Sequence, residues 1–170
     1  MIVTFTEAEL KQIELLALIR HHSAGIAVPP KYSKLDALGI DRLGAMGEAA
    51  LSKHFEWAVS TMLFTNRDDG RDFKTDVGTI QVKTRENPKA SLYIQSIPYF
   101  RADYGVLCRQ VAPDAIEIVG FFTKDAWKRY SEERDFNGVT KYVMSRDYMS
   151  HTINDLIDED SLKLGALGDA

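Results

Sequence analysis

The chain has 170 residues, 45% hydrophobic and 27% charged, close to the averages of ordinary globular domains, which excludes disordered, collagen-like and coiled-coil classes. Its length suits one domain with a real core. The net charge of -4 sits entirely in residues 151–170, where Asp155, Asp158, Glu159, Asp160 and Asp169 face Lys163 alone; residues 1–150 are neutral, which rules out a bulk basic nucleic-acid coat but not a local basic groove. No run reaches the ~18 apolar residues of a membrane span, and Met1 to Arg20 carries Glu7, Glu9 and Glu14 where a secretion signal has basic residues. Cys108 is the single cysteine, so no internal disulfide can form. These features lead us to expect a soluble, cytoplasmic protein in a reducing compartment, with no membrane partner.

The first predicted element is a helix over 6–22. Thr6 and Glu9 make a capping box, Phe5 and Leu10 a hydrophobic staple, and Leu10, Ile13, Leu16 and Ala17 share one face. Gly25 and Pro29-Pro30 make Ser23 to Asp36 a loop. A second helix is expected from about Asp41 through Leu43, Met46, Ala50, Leu51 and Phe55. Gly44 and Gly47 lie inside it, and interior glycines suggest that something packs very close on their side, next to Glu48. Trp57 to Phe64 is apolar and reads equally as strand or helix.

From Arg71 the period changes to two: Arg71 to Thr75 and Thr79 to Arg85 are β-prone runs around Asp76-Val77-Gly78, a β-hairpin ended by Asn87-Pro88. Tyr104 to Val111 and Ala115 to Phe122 are two more strands joined at Pro113-Asp114. Thr123 caps a helix carrying Ala126, Trp127 and Tyr130, and Tyr142-Val143-Met144 reads as a last edge strand. The expected fold is α/β, with a mixed sheet of four or five strands and helices on both faces. Residues 1–150 form the domain and 151–170 an acidic tail.

Read singly, Asp72, Gln81 and Lys83 are ordinary hairpin residues. Taken together they differ, because Gln81 and Lys83 project from the same face of a strand while Val82 points to the core, and a closed hairpin stands Asp72 near Gln81. With the Val82 carbonyl this is an oxygen-rich place for a hard cation such as Mg2+, with Lys83 beside it to orient water or face a phosphate. Asp76 is expected to cap the turn instead, and Asp69 precedes Gly70.

The order of Gly47-Glu48 on a helix, Asp72-Phe73, Ile80-Gln81-Val82-Lys83-Thr84, Asp103-Tyr104-Gly105-Val106 and Ile118-Val119-Gly120-Phe121 resembles the PD-(D/E)XK nuclease superfamily, with its restriction-endonuclease-like fold, over residues 43–130. That resemblance implies a metal-dependent deoxyribonuclease using Mg2+ or Mn2+. Glu48, Asp72, Gln81 and the Val82 carbonyl would hold the ion, and Lys83 would help activate the attacking water. Gln81 departs from the family pattern, an amide where an acid is usual. Small members of this kind act in phage or prophage recombination, repair or restriction, and a junction-resolving homodimer is one version. Gln95 and Tyr99 have the Q-x-x-x-Y spacing of some branches, interrupted by Pro98.

For DNA, Arg67, Arg71, Lys74, Lys83, Arg85, Lys89, Arg101 and Arg109 gather around the hairpin with Tyr93, Tyr99 and Phe100, a set suited to phosphates and an unpaired base. Asp68, Asp69, Asp76, Glu86 and Asp103 are interleaved with it, so a solvated hairpin is an equal reading. His21, His22, His54 and His151 lack metal-ligand spacing, and Cys108 reads as a small core residue. The rival functions are a nuclease-fold module that binds nucleic acid or a protein without cutting, and a structural α/β protein whose motif is accidental.

Overall fold

A computed structural model describes residues 1–23, 36–58, 70–86, 92–94, 100–135, 138, 140–153 and 155. Strand β1 (Ile2–Thr4) opens the chain, followed by helices α1 (Glu7–Ser23) and α2 (Ala37–Phe55). The hairpin β2 (Phe73–Thr75) and β3 (Gly78–Arg85), strand β4 (Leu92–Ile94), the hairpin β5 (Tyr104–Ala112) and β6 (Ala115–Thr123), helix α3 (Lys124–Tyr130), and strands β7 (Glu132–Asp135) and β8 (Thr140–Met144) complete it, before a 3-10 turn at Arg146–Tyr148. The five-stranded sheet runs β1-β6-β5-β3-β2 and is mixed, with β3 and β5 parallel and the other pairs antiparallel. A second, antiparallel sheet runs β4-β8-β7.

Local chemistry explains most of these elements. The Thr6 backbone N–H donates to Glu9 Oε2 at 2.6 Å and the Glu9 N–H to Thr6 Oγ1 at 3.3 Å, which closes the capping box and starts α1. Helix α2 begins at Ala37 instead of near Asp41, because Asp36 takes the cap position: its carboxylate accepts the Gly39 N–H at 2.7 Å. Thr123 caps α3 by accepting the Ala126 N–H at 3.0 Å. Within the β2–β3 turn, the side-chain bond comes from Thr75, whose hydroxyl donates to the Gly78 carbonyl at 2.9 Å. Asp76, expected in that role, is exposed and makes no hydrogen bond with a described residue.

Alternation builds two cores, one on each face of the large sheet. Ile80, Val82, Val106, Cys108, Ile116, Ile118 and Phe121 face Ile13 and Ala17 of α1 and Ala45, Met46, Ala50 and Leu51 of α2. On the other face Leu107 and Phe122 pack with Phe100, Ala102, Trp127, Met144 and Met149. A bulge between Leu107 and Cys108 inserts Val119 as an extra residue in β6, which lets Ile118 and Phe121 point to the same side although they are three apart. Ile153, beyond residue 150, still packs in the first core.

Four strands differ from expectation. Met144 and its neighbours form the middle strand of the second sheet, paired with β4 on one side and β7 on the other, instead of an edge. β1, β4 and β7 were not foreseen: β1 and β4 are three residues long each, and β7 is Glu-Glu-Arg-Asp and exposed throughout. Residues 59–64 and the loop glycine and prolines at 25, 29 and 30 lie outside the described residues.

The two helix glycines separate cleanly. A Cβ on Gly47 would overlap the Thr84 hydroxyl of β3, so this is where α2 lies on the sheet, whereas a Cβ on Gly44 would meet nothing within 4 Å. The close packing expected at both therefore holds only at Gly47. Gly44→Ala is expected to stabilise the protein by about 0.5–1 kcal/mol through helix propensity alone. Gly47→Ala is expected to cost about 1–3 kcal/mol by overpacking, with part of the loss recovered in the Gly47→Ala, Thr84→Ala double variant. Urea denaturation of the four proteins measures all three.

Candidate functional site

The hairpin register places Phe73 opposite Ile80, so Asp72 falls beside Gln81 just where β2 ends. Asp72 then replaces the missing strand with its own groups: its N–H donates to the Ile80 carbonyl at 2.8 Å, and its Oδ2 accepts the Val82 N–H at 2.5 Å. In a strand the N–H and C=O of one residue point to the same edge, so the Val82 carbonyl opens toward the aspartate as well. The sequence expectation that Asp72 meets the Gln81-Val82-Lys83 segment is met in this geometry.

Gln81 and Lys83 project to the face opposite α1 and α2, since Ile80 and Val82 occupy the first core. Across the parallel pair Gln81 adjoins Gly105, where a Cβ would overlap the Phe122 ring of the second core. Gln81 is 5% exposed, and its Oε1 is buried without a hydrogen-bond partner among the described residues. A buried amide oxygen left unpaired costs about 1–3 kcal/mol, a penalty that a cation or donor ligand would remove. Lys83 is half-buried and makes no ion pair with a described residue.

Glu48 stands elsewhere in its bonding. It is 7% exposed on α2, and Arg20 of α1 grips it with both ends of the guanidinium, Nη1 to Oε1 and Nη2 to Oε2, each at 2.7 Å. Removing one partner of such a buried pair costs about 3–5 kcal/mol, so the carboxylate is held by the helix layer as things stand. No sequence signal pairs residues 28 apart on two helices. Among the described residues no three His, Cys, Asp or Glu side chains converge as a metal-binding group.

The charges around the hairpin are more committed than the sequence suggests. Arg109 pairs with Glu117, its register partner on β6. Arg85 lies half-buried next to Arg109 in the β3–β5 pair, while Arg71 and Arg101 are exposed. Phe100, expected as a base-stacking ring, is completely buried in the second core and cannot serve. Positions 67, 89, 95 and 99 lie outside the described residues, as does the side chain of residue 93. Of the histidines, His21 pairs with Asp41 at 2.8 Å, and Cys108 is buried, which pushes its thiol pKa up.

Asp103 ties the start of β3 to β5. Its carboxylate accepts the Thr79 N–H at 2.8 Å and the Thr79 hydroxyl at 2.7 Å. Those two bonds, the backbone one first, hold its pKa below the ordinary value, with Arg71 and Lys124 pulling the same way.

No protein-family model, no curated protein and no solved structure matches the chain. No helix of the described residues is long and apolar enough to cross a membrane.

Because the folded pKa of Asp103 is depressed, its bonds contribute stability that is complete above the unfolded value and is lost as pH falls through the folded one. Denaturation of wild type and Asp103→Asn from about pH 5 down to about pH 2 is expected to show wild type more stable at the upper end and the gap closing downward. A gap that stays constant across the range counts against this role.

Proposed function

We propose that the protein is a metal-dependent deoxyribonuclease of the PD-(D/E)XK type, hydrolysing DNA phosphodiester bonds at the end of the β2–β3 hairpin. The observation that carries this reading is the hydrogen bond from the Val82 N–H to the Asp72 carboxylate, which seats an acid on the Gln81-Val82-Lys83 strand. The order of Glu48 on a helix, Asp72 at a hairpin strand and Gln81 and Lys83 on the next strand supports it too, within an α/β fold whose mixed sheet has helices on both faces.

The donor set suits Mg2+ or Mn2+: the Asp72 carboxylate, the unpartnered Gln81 Oε1 and the Val82 carbonyl are all oxygens, the ligand type a hard cation prefers. Bound there, such an ion supplies Lewis acidity toward phosphate and water. Lys83 does the chain's own share, holding a water or a phosphate oxygen by a charged hydrogen bond on the face that Gln81 shares. Arg71 and Arg101, both exposed, and Arg85 are placed to meet backbone phosphates. Glu48 lies on α2, against the face opposite to Gln81 and Lys83, with its carboxylate held by Arg20.

The second reading is a module of the same fold that binds nucleic acid or a protein and cuts nothing. Two observations favour it: the amide at Gln81 removes one negative charge, and Arg20 occupies the Glu48 carboxylate.

Labelled linear duplex, single strand, circle, four-way junction and RNA, each with Mg2+ or Mn2+, separate the two. Cleavage is expected on DNA, lowered about 100-fold or more in Asp72→Asn and in Lys83→Ala proteins that melt like wild type. Cleavage of the junction by a dimer would point to resolution. A folded wild type that cuts no substrate, or variants that cut as well as it does, would establish the binding module or end the assignment.

A further inference from the structure

We propose that Tyr130 and Tyr148 form a stacking platform for an unpaired base of single-stranded DNA, flanked by Arg129 and Arg146. It rests on the nucleic-acid reading above and names the form of the substrate. The two rings are stacked with centroids 4.6 Å apart and planes 2° from parallel, yet they remain 40% and 52% exposed. The two rings stack on each other while Tyr148 still turns much of its surface to water. A nucleobase extends such a stack at little conformational cost, because every base has a π-face.

Charge complementarity selects the partner. Of the acids near the platform in sequence, Asp125 is paired with Lys128 at 3.3 Å and Glu132 with Arg134 at 2.9 Å, while Glu133 and Asp147 accept from the Tyr142 and Ser145 hydroxyls at 2.8 Å each and keep their charge. Arg129 and Arg146 are exposed and make no ion pair with a described residue; the Arg129 guanidinium lies 5.9 Å from the Tyr130 ring centroid. What the patch offers is aromatic surface with two exposed guanidiniums beside it, the groups that a single strand meets with bases and phosphates. Trp127 and Met149, neighbours of the platform in sequence, pack in the core that covers the same side of the sheet as Gln81.

The test is fluorescence anisotropy of a labelled oligo-dT in EDTA, where no cleavage intervenes, with a blunt duplex and an oligo-U of equal length beside it. Wild type is expected to bind oligo-dT more tightly than the duplex or the RNA. Tyr148→Ala is expected to weaken binding about tenfold or more, Tyr148→Phe to retain it, and Arg129→Gln with Arg146→Gln to flatten the salt dependence by about 1.4 in logarithmic slope. Melting temperatures exclude a folding defect. Absence of oligo-dT binding by wild type, tighter binding of duplex or RNA, unchanged binding by Tyr148→Ala, or equal loss in Tyr148→Phe would each overturn the platform. Failure of the nuclease reading looks different: platform variants lose a binding that wild type has, while wild type cuts nothing with metal.

Discussion

Strand β3 is fastened along both edges and covered on both faces, and the candidate site exists only because of that. On one edge it pairs in parallel with β5 over six residues, Ile80 to Arg85. On the other, β2 supplies three partners and then stops, and the Asp72 carboxylate takes the Val82 N–H that a longer β2 would have used. Above it Gly47 lets α2 come down onto Thr84, and below it Gly105 lets the Phe122 ring approach. With the strand so fixed, a one-residue slip would turn Ile80 and Val82 out of the helix-side core and Gln81 into it, which sets the direction of Gln81 and Lys83 firmly.

The same constraint leaves the site short of charge. Gln81 is buried and its carbonyl oxygen has no hydrogen-bond partner among the described residues, a cost that a cation or donor would remove. An acid in that place would bind a cation more strongly but would also put a buried negative charge beside Asp72. Glu48 meets its own burial differently, through the two bonds to Arg20. One carboxylate is neutralised in the helix layer, and the other stays at the strand edge, where the Val82 carbonyl opens.

Much of this was legible because its signals are local. Thr6 with Glu9, Thr123 before its helix, and the alternation on either side of Val77 and of Pro113 each lie within a few residues of the structure they cause. The juxtaposition of Asp72 with Gln81 followed from hairpin register, which is equally local. What was not legible is set by partners far along the chain. Three residues, Ile2 to Thr4, become a strand because β6 offers an edge, and Glu132 to Asp135 because β8 does. The Arg20–Glu48 pair, the Arg109–Glu117 pair and the Tyr130–Tyr148 stack join residues that no spacing rule connects. The start of α2 was misplaced because Asp41 and Asp36 carry the same capping chemistry, and only the Gly39 N–H bond distinguishes them.

The most direct measurement is Mn2+ binding followed by electron paramagnetic resonance, with wild type, Asp72→Asn and Gln81→Glu proteins and no nucleic acid present. If Asp72, Gln81 and the Val82 carbonyl form a cation site, wild type binds one ion, Asp72→Asn loses it, and Gln81→Glu holds it about tenfold or more tightly, as an added carboxylate should. Mn2+ that ignores wild type and Gln81→Glu alike, or binds Asp72→Asn as well as wild type, would contradict it.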